Sequence, residues 1–191
     1  VLYLTSELSP LVSSGGLGEV SFSLPNALKQ SGVDIRVVLP KYKAIKLQED
    51  FNFLVSGKID SQPYNLLETK IPGADFKVYL LENEYYFGRD NIYGYGDWEY
   101  EDNPARFSFF CNAVIDAVEK IDWLPEIIHC NDWQTAPAIG FLYTKSEHSY
   151  YWANTTSLLT IHNLAFQGRY PAERFITTGL PQELFHQSCF E

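Results

Sequence analysis

Apolar positions along the chain follow two rhythms, short unbroken runs and helical repeats, and the two take turns. Val1–Thr5 is an apolar run closed by Ser9-Pro10 and Ser13-Ser14-Gly15-Gly16, which predicts a buried strand followed by turns. Val20, Leu24, Ala27 and Leu28 then recur at helical spacing as far as Ser31-Gly32, a helix stop. Pro25 inside that stretch is expected to kink the helix or cost it a hydrogen bond. Residues 34–40, Asp-Ile-Arg-Val-Val-Leu-Pro, predict a second strand, so the first forty residues read as a βαβ unit, which makes a parallel sheet. Phe51–Val55 and Phe76–Leu81 read as strands, with Ile71-Pro72-Gly73 as a turn between them. Residues 83–102 show no regular period.

Asp102-Asn103-Pro104 opens the strongest helical pattern. Asp102 or Asn103 is suited to cap it, Pro104 to its first turn, and Phe107, Phe110, Cys111, Val114, Val118 and Ile121 form its buried stripe. A strand at residues 127–130, a helix from about Gln134 to Tyr143 and a strand at residues 158–161 follow, and the rest is turn-rich. No linker or repeat divides the chain, so residues 1–191 are read as one α/β domain with a parallel sheet and helices on both faces.

Composition narrows the function. The 191 residues carry 14 Lys and Arg against 24 Asp and Glu, a net charge of −10 with no basic run, which argues against a nucleic-acid partner. No apolar run reaches the length of a membrane span, and no signal peptide is visible. Methionine is absent, even at position 1, so the chain is expected to be a fragment. Cys111, Cys130 and Cys189 are odd in number and widely spaced, which fits reduced, buried thiols rather than disulfides or zinc.

Three strand ends carry polar or glycine-rich residues: Glu7 to Gly18, Asn131-Asp132 and His162-Asn163. In open parallel sheets that edge is where ligands bind. Gly15-Gly16-Leu17-Gly18 before a helix suits either a phosphate site or a tight strand-to-helix turn. With Ser21 at the third position and no acid closing the second strand, it is not a dinucleotide fingerprint, and it is no P-loop. His162 reads as ligand-facing or structural, and Asp132 as orienting a ligand or capping a helix. The segment at 83–102 holds Tyr85, Tyr86, Phe87, Tyr93, Tyr95, Trp98 and Tyr100 with six acids and one Arg; it suits sugar stacking or a folded-over surface loop.

Four segments carry a resemblance: Ser6-Glu7-x-x-Pro10 with Gly15-Gly16-Leu17-Gly18-Glu19-Val20; Tyr93-Gly94 with Asp102-Asn103-Pro104-Ala105-Arg106-Phe107; residues 128–135, Ile-His-Cys-Asn-Asp-Trp-Gln-Thr; and residues 160–168, Thr-Ile-His-Asn-Leu-Ala-Phe-Gln-Gly. In this order they resemble the N-terminal domain of bacterial glycogen synthases and plant starch synthases, the first half of a two-domain GT-B architecture. The resemblance implies transfer of glucose from ADP-glucose to the non-reducing end of an α-1,4-glucan, with retention and without a metal or redox cofactor. It implies His162 as the catalytic residue on the donor glucose. It also implies that Gly15, Gly16 and Gly18 lie at the diphosphate, that Glu7, Ser13, Asp132, Asn163 and Gln167 lie at the substrates, and that Tyr93 lies toward the acceptor.

A C-terminal domain of the parent chain would be the remaining partner, and this chain alone is expected to be inactive. The implied compartment is a bacterial cytoplasm or a plastid stroma. Three positions depart from the family pattern: Ser13 stands for its lysine, Glu19 for its aspartate and Asn131 for its second histidine. Ser13 keeps a non-catalytic glucan-binding or regulatory homologue open as an alternative. A different GT-B transferase using a UDP-sugar is a third reading, which the segment at 163–168 disfavours.

Overall fold

The computed structural model describes residues 1–45, 51–96 and 98–186. Thirteen elements follow in order: β1 (Leu2–Leu4), α1 (Gly16–Gln30), β2 (Arg36–Pro40), β3 (Asn52–Ile59), β4 (Gln62–Thr69), β5 (Lys77–Glu82), α2 (Glu84–Phe87), β6 (Gly94–Tyr95), β7 (Trp98–Glu99), α3 (Asn103–Lys120), β8 (Ile127–Asn131), α4 (Pro137–Ser146) and β9 (Thr156–Thr160). Two 3-10 turns, Ala172–Thr178 and Gln182–Leu184, come after β9. The main sheet runs β3-β4-β5-β2-β1-β8-β9. Its five strands from β5 to β9 are mutually parallel, whereas β3 and β4 add as an antiparallel hairpin at one edge.

The strand order fixes where the helices lie. The crossover from β1 to β2 through α1 moves one way along the sheet; those from β5 to β8 through α3 and from β8 to β9 through α4 move the other way. Right-handed crossovers therefore place α1 on one face and α3 with α4 on the opposite face. The direction reverses between β1 and β8, so their carboxyl ends flank the topological switch point, the usual ligand crevice of such sheets.

The core is built from fully buried strand residues, among them Leu2, Tyr3, Leu4, Val37, Val38, Leu39, Val78, Leu80 and Ile128, closed by Phe107, Phe110, Val114 and Ala117 of α3. Cys111 and Cys130 are free and buried, and burial raises both thiols, Cys130 to about 12, so neither is a ready thiolate. Cys189 lies outside the described residues. No described helix is long and apolar enough to cross a membrane.

Several elements differ from the sequence reading. The segment between the two expected strands holds a further strand, β4, and Asp60 at φ 51 turns the β3–β4 hairpin without a glycine. Residues 83–102 are not featureless: α2 is capped by the Asn83 side chain, which accepts from Tyr86 N–H, and β6 pairs with β7. Asp102 occupies the N-cap position of α3, as expected, but its side chain makes no cap hydrogen bond. Asp102 is taken by Arg89 in a two-pronged pair, and Asn103 lies inside the first turn. Helix α3 is buried on most of its surface rather than along one stripe, since it lies between the sheet, α4 and the first 3-10 turn. Helix α1 runs on through Pro25, and its buried positions are Gly18, Ser21 and Pro25, while Val20 is exposed. Helix α4 starts at Pro137, three residues later than expected, because residues 132–136 first make a turn.

Candidate active site

The end of β8 is tied to both neighbouring strands. Asn131 is fully buried, and its Nδ2 donates to Leu4 O of β1 at 2.9 Å and to His129 O at 3.3 Å. Its Oδ1 stands 2.9 Å from Nε2 of His162, the second residue after β9. Asp132 turns the chain at φ 59, a left-handed conformation that aspartate tolerates better than most residues. Its N–H donates to Thr160 O at 2.9 Å, and its Oδ1 accepts the His162 N–H at 2.7 Å. Buried Thr135 closes the turn: its hydroxyl accepts Asn131 N–H and donates to Asn131 O. Asp132 and His162, expected together from the sequence, are therefore bonded to one another, and His162 itself is exposed.

A second network follows β1. Glu7 is 3% exposed, and its carboxylate accepts from Ser14 N–H (2.7 Å), Ser14 Oγ (2.7 Å), Gly15 N–H (3.3 Å) and the Tyr93 hydroxyl (2.7 Å). Glu7 thus latches the glycine loop to the aromatic segment instead of facing open solvent. Tyr93 is held from both ends. Its hydroxyl also meets Ser6 Oγ at 2.8 Å, and its carbonyl accepts from Asn103 Nδ2 and Tyr100 N–H. Burial, then the nearby Tyr42 and Glu7 oxygens, push its phenol well above the usual range, so it serves as a neutral donor.

Arg106 braces the same segment. It is fully buried and, among the described residues, has no carboxylate partner, donating instead to Tyr86 O, Ile92 O and Asn103 Oδ1, with Phe87, Tyr100 and Phe107 rings around its guanidinium.

The glycine loop divides into two kinds of position. A Cβ at Gly18 would stand 2.5 Å from Ser13 Oγ and 2.7 Å from Ser13 Cβ, so the loop requires glycine there. At Gly15 and Gly16 a Cβ would meet no atom within 4 Å, so the protein's own packing does not demand these glycines. Ser13 is exposed and turns its hydroxyl onto Gly15 O, and Glu19 accepts from Ser9 Oγ at 2.6 Å. Among the described residues, the loop's hydrogen bonds go to carboxylates, hydroxyls and the backbone.

Beyond His162 the chain forms a tight turn. Asn163 Oδ1 accepts from Ala165 N–H, and Gln167 Nε2 donates to Leu164 O. Two cavities adjoin this turn. One, of about 330 Å³, is lined by Glu99, Trp133 and residues 165–169. The other, of about 810 Å³, lies between the start of α3, Trp133 and residues 167–185. Among the predicted site residues only Gln167 lines them; His162, Asp132 and the glycine loop lie outside, along the carboxyl edge of the sheet. Trp133, which the sequence reading placed in a motif without giving it a role, lines both. It packs edge-on against Phe107 and tilted against Tyr170, whose hydroxyl contacts Glu99. Gly168, at φ 63, seats the Trp133 ring.

The family profile described as the starch synthase catalytic domain matches residues 1–191, the whole chain. The chain belongs to this family. A glycogen synthase of Geotalea daltonii is 38% identical over all of this chain, which spans 40% of that relative's length. A glycogen synthase of Moorella thermoacetica is 40% identical over 97% of the chain and 37% of its own length. The catalytic domain of starch synthase IV from Arabidopsis thaliana, bound to ADP and acarbose, superposes with a TM-score of 0.83 at 27% identity, covering 98% of this chain and 39% of that one. The chain thus spans about two fifths of the relatives it matches. The α/β class with a parallel-dominated sheet is as the sequence reading expected.

Proposed function

We propose that the chain is the N-terminal part of a glycogen or starch synthase that moves glucose from ADP-glucose to the non-reducing end of an α-1,4-glucan with retention. The observation that carries this reading is the family match along the entire chain, together with two glycines, Gly15 and Gly16, that leave open space at the start of α1. Backbone N–H groups ahead of a helix can approach a diphosphate there. His162, exposed at the end of β9 and anchored through its own N–H to Asp132, is the group we assign to a hydroxyl of the donor glucose. The chemistry requires stabilising a departing diphosphate and an oxocarbenium-like carbon, which fixed dipoles do without reorganising.

Among the described residues, no Lys or Arg side chain bonds the glycine loop. Ser13 carries no charge, and the loop's nearest ionised partners are Glu7 and Glu19. We therefore assign the charge-compensating cations to a C-terminal domain of the parent chain, and we expect the 191 residues alone to be inactive. The reading places the parent in a bacterial cytoplasm or a plastid stroma. The test is radiolabelled glucose incorporation from ADP-glucose into glycogen. The parent protein should extend the glucan and this chain alone should not. A parent that binds glucan but never extends it, with or without Ser13→Lys, would replace this reading with a binding or regulatory role.

A further inference from the structure

Asn131 departs from the histidine of the family pattern and is fully buried between two strand ends. Asparagine amides are ordinarily ambiguous in orientation, but this one has its orientation set by its neighbours. Its Nδ2 faces two backbone carbonyls, Leu4 O at 2.9 Å and His129 O at 3.3 Å, which can only accept. Turning the amide over would set its oxygen against both carbonyls and leave three buried acceptors facing one another without a donor between them. The Oδ1 must therefore face His162 Nε2 at 2.9 Å, and that nitrogen must carry the proton.

We propose that Asn131 is a positioning residue that holds His162 in its Nε2–H tautomer and leaves Nδ1 as the ring's acceptor at the crevice. The second anchor, His162 N–H on Asp132 Oδ1 at 2.7 Å, fixes the backbone from which the ring swings, so ring and backbone are both oriented. Nδ1 has no partner among the described residues. The neutral ring then meets a ligand hydroxyl only by taking its hydrogen bond, and it turns away a carbonyl or phosphate oxygen. That this hydroxyl belongs to a sugar rests on the function proposed above; the tautomer does not. An imidazole at position 131 could itself change protonation state, whereas the amide is a neutral acceptor at every pH, so the chosen tautomer is independent of any titration at 131.

The test is the two-bond ¹H–¹⁵N correlation spectrum of the imidazoles in the ¹⁵N-labelled 191-residue chain, with no substrate present, at a pH where the rings are neutral. His162 is assigned by its disappearance in His162→Gln. The expected result is a pure Nε2–H pattern for His162, replaced by a mixture of tautomers in Asn131→Leu. An Nδ1–H form in the wild-type chain overturns the proposal, as does an unchanged His162 pattern in a folded Asn131→Leu. Should Asn131→Leu fail to fold, the wild-type spectrum decides: a pure Nε2–H pattern upholds the proposal and an Nδ1–H population overturns it. The spectra need no turnover, so this proposal and the glucosyltransfer reading fail separately.

Discussion

Replacing Gly168 by alanine tests whether Trp133 is seated as described, because two separable penalties meet at that residue. The backbone is at φ 63, where an alanine costs roughly 1 kcal/mol relative to glycine. The added Cβ would also stand 2.5 Å from Trp133 Cδ2 and 2.6 Å from Cε3 and Cγ. Phe107 lies 5.4 Å and Tyr170 5.5 Å from the ring, centroid to centroid, so it would have to break these contacts to yield toward the cavities it lines. Overpacking of this kind costs about 1–3 kcal/mol. The sum is roughly 2–4 kcal/mol, which for a chain of this size lowers Tm by about 4–16 °C.

Gly179 is the matched control. Its φ is 74, yet a Cβ there meets no atom within 4 Å, so Gly179→Ala should cost only the backbone part, about 2–4 °C. Thermal unfolding followed by circular dichroism, run on both variants under one buffer, reads the difference. Equal drops would show that Gly168 does not touch the Trp133 ring and would refute this packing.

Three further outcomes follow from the same geometry. Glu7→Gln replaces an acceptor of four hydrogen bonds by a group that turns an NH₂ toward some of those donors; it should lose about 1–3 kcal/mol and speed hydrogen exchange at the Ser14 and Gly15 amides, and unchanged exchange there would dissolve the latch. Burial, then the charge of His162, hold His129 below the ordinary imidazole value, so the unfolded chain takes up its proton first. Its contribution to stability is complete above about pH 6.5 and falls as acid is added below that value, so urea unfolding should show a shallower loss between pH 7 and 5 in His129→Gln, and an identical slope would contradict it. In the parent protein Ser13→Lys should lower the KM for ADP-glucose without changing that for glucan, and a change in the glucan KM alone would put the loop on the acceptor instead.

The central strands were legible because each is a short apolar run bounded by turn residues, and the order of strand and helix was enough to imply a parallel sheet. The strand β4 was not, since Pro63 and the adjacent Leu66-Leu67 blur its alternation, and its hairpin turns on Asp60-Ser61 rather than on a glycine. In α1 the helical spacing correctly marked Leu24 and Leu28, which pack half-buried against the core, but it put the exposed Val20 inward and missed Gly18, Ser21 and Pro25, the most buried positions. At the site, the motifs marked Asp132 and His162 correctly as neighbours across strand ends. The partnership of Glu7 with Tyr93 joins residues far apart in the chain and leaves no local trace. Asn131 looked only like a departure from a pattern; its role emerges once Leu4, His129 and His162 are seen around one amide.

The most direct measurement is a crystal structure of the parent protein with ADP-glucose or a non-hydrolysable analogue. Diphosphate density over the Gly15 and Gly16 backbone with the glucose against His162 is the predicted result. A nucleotide sugar bound away from the carboxyl ends of β1 and β8 would contradict the account.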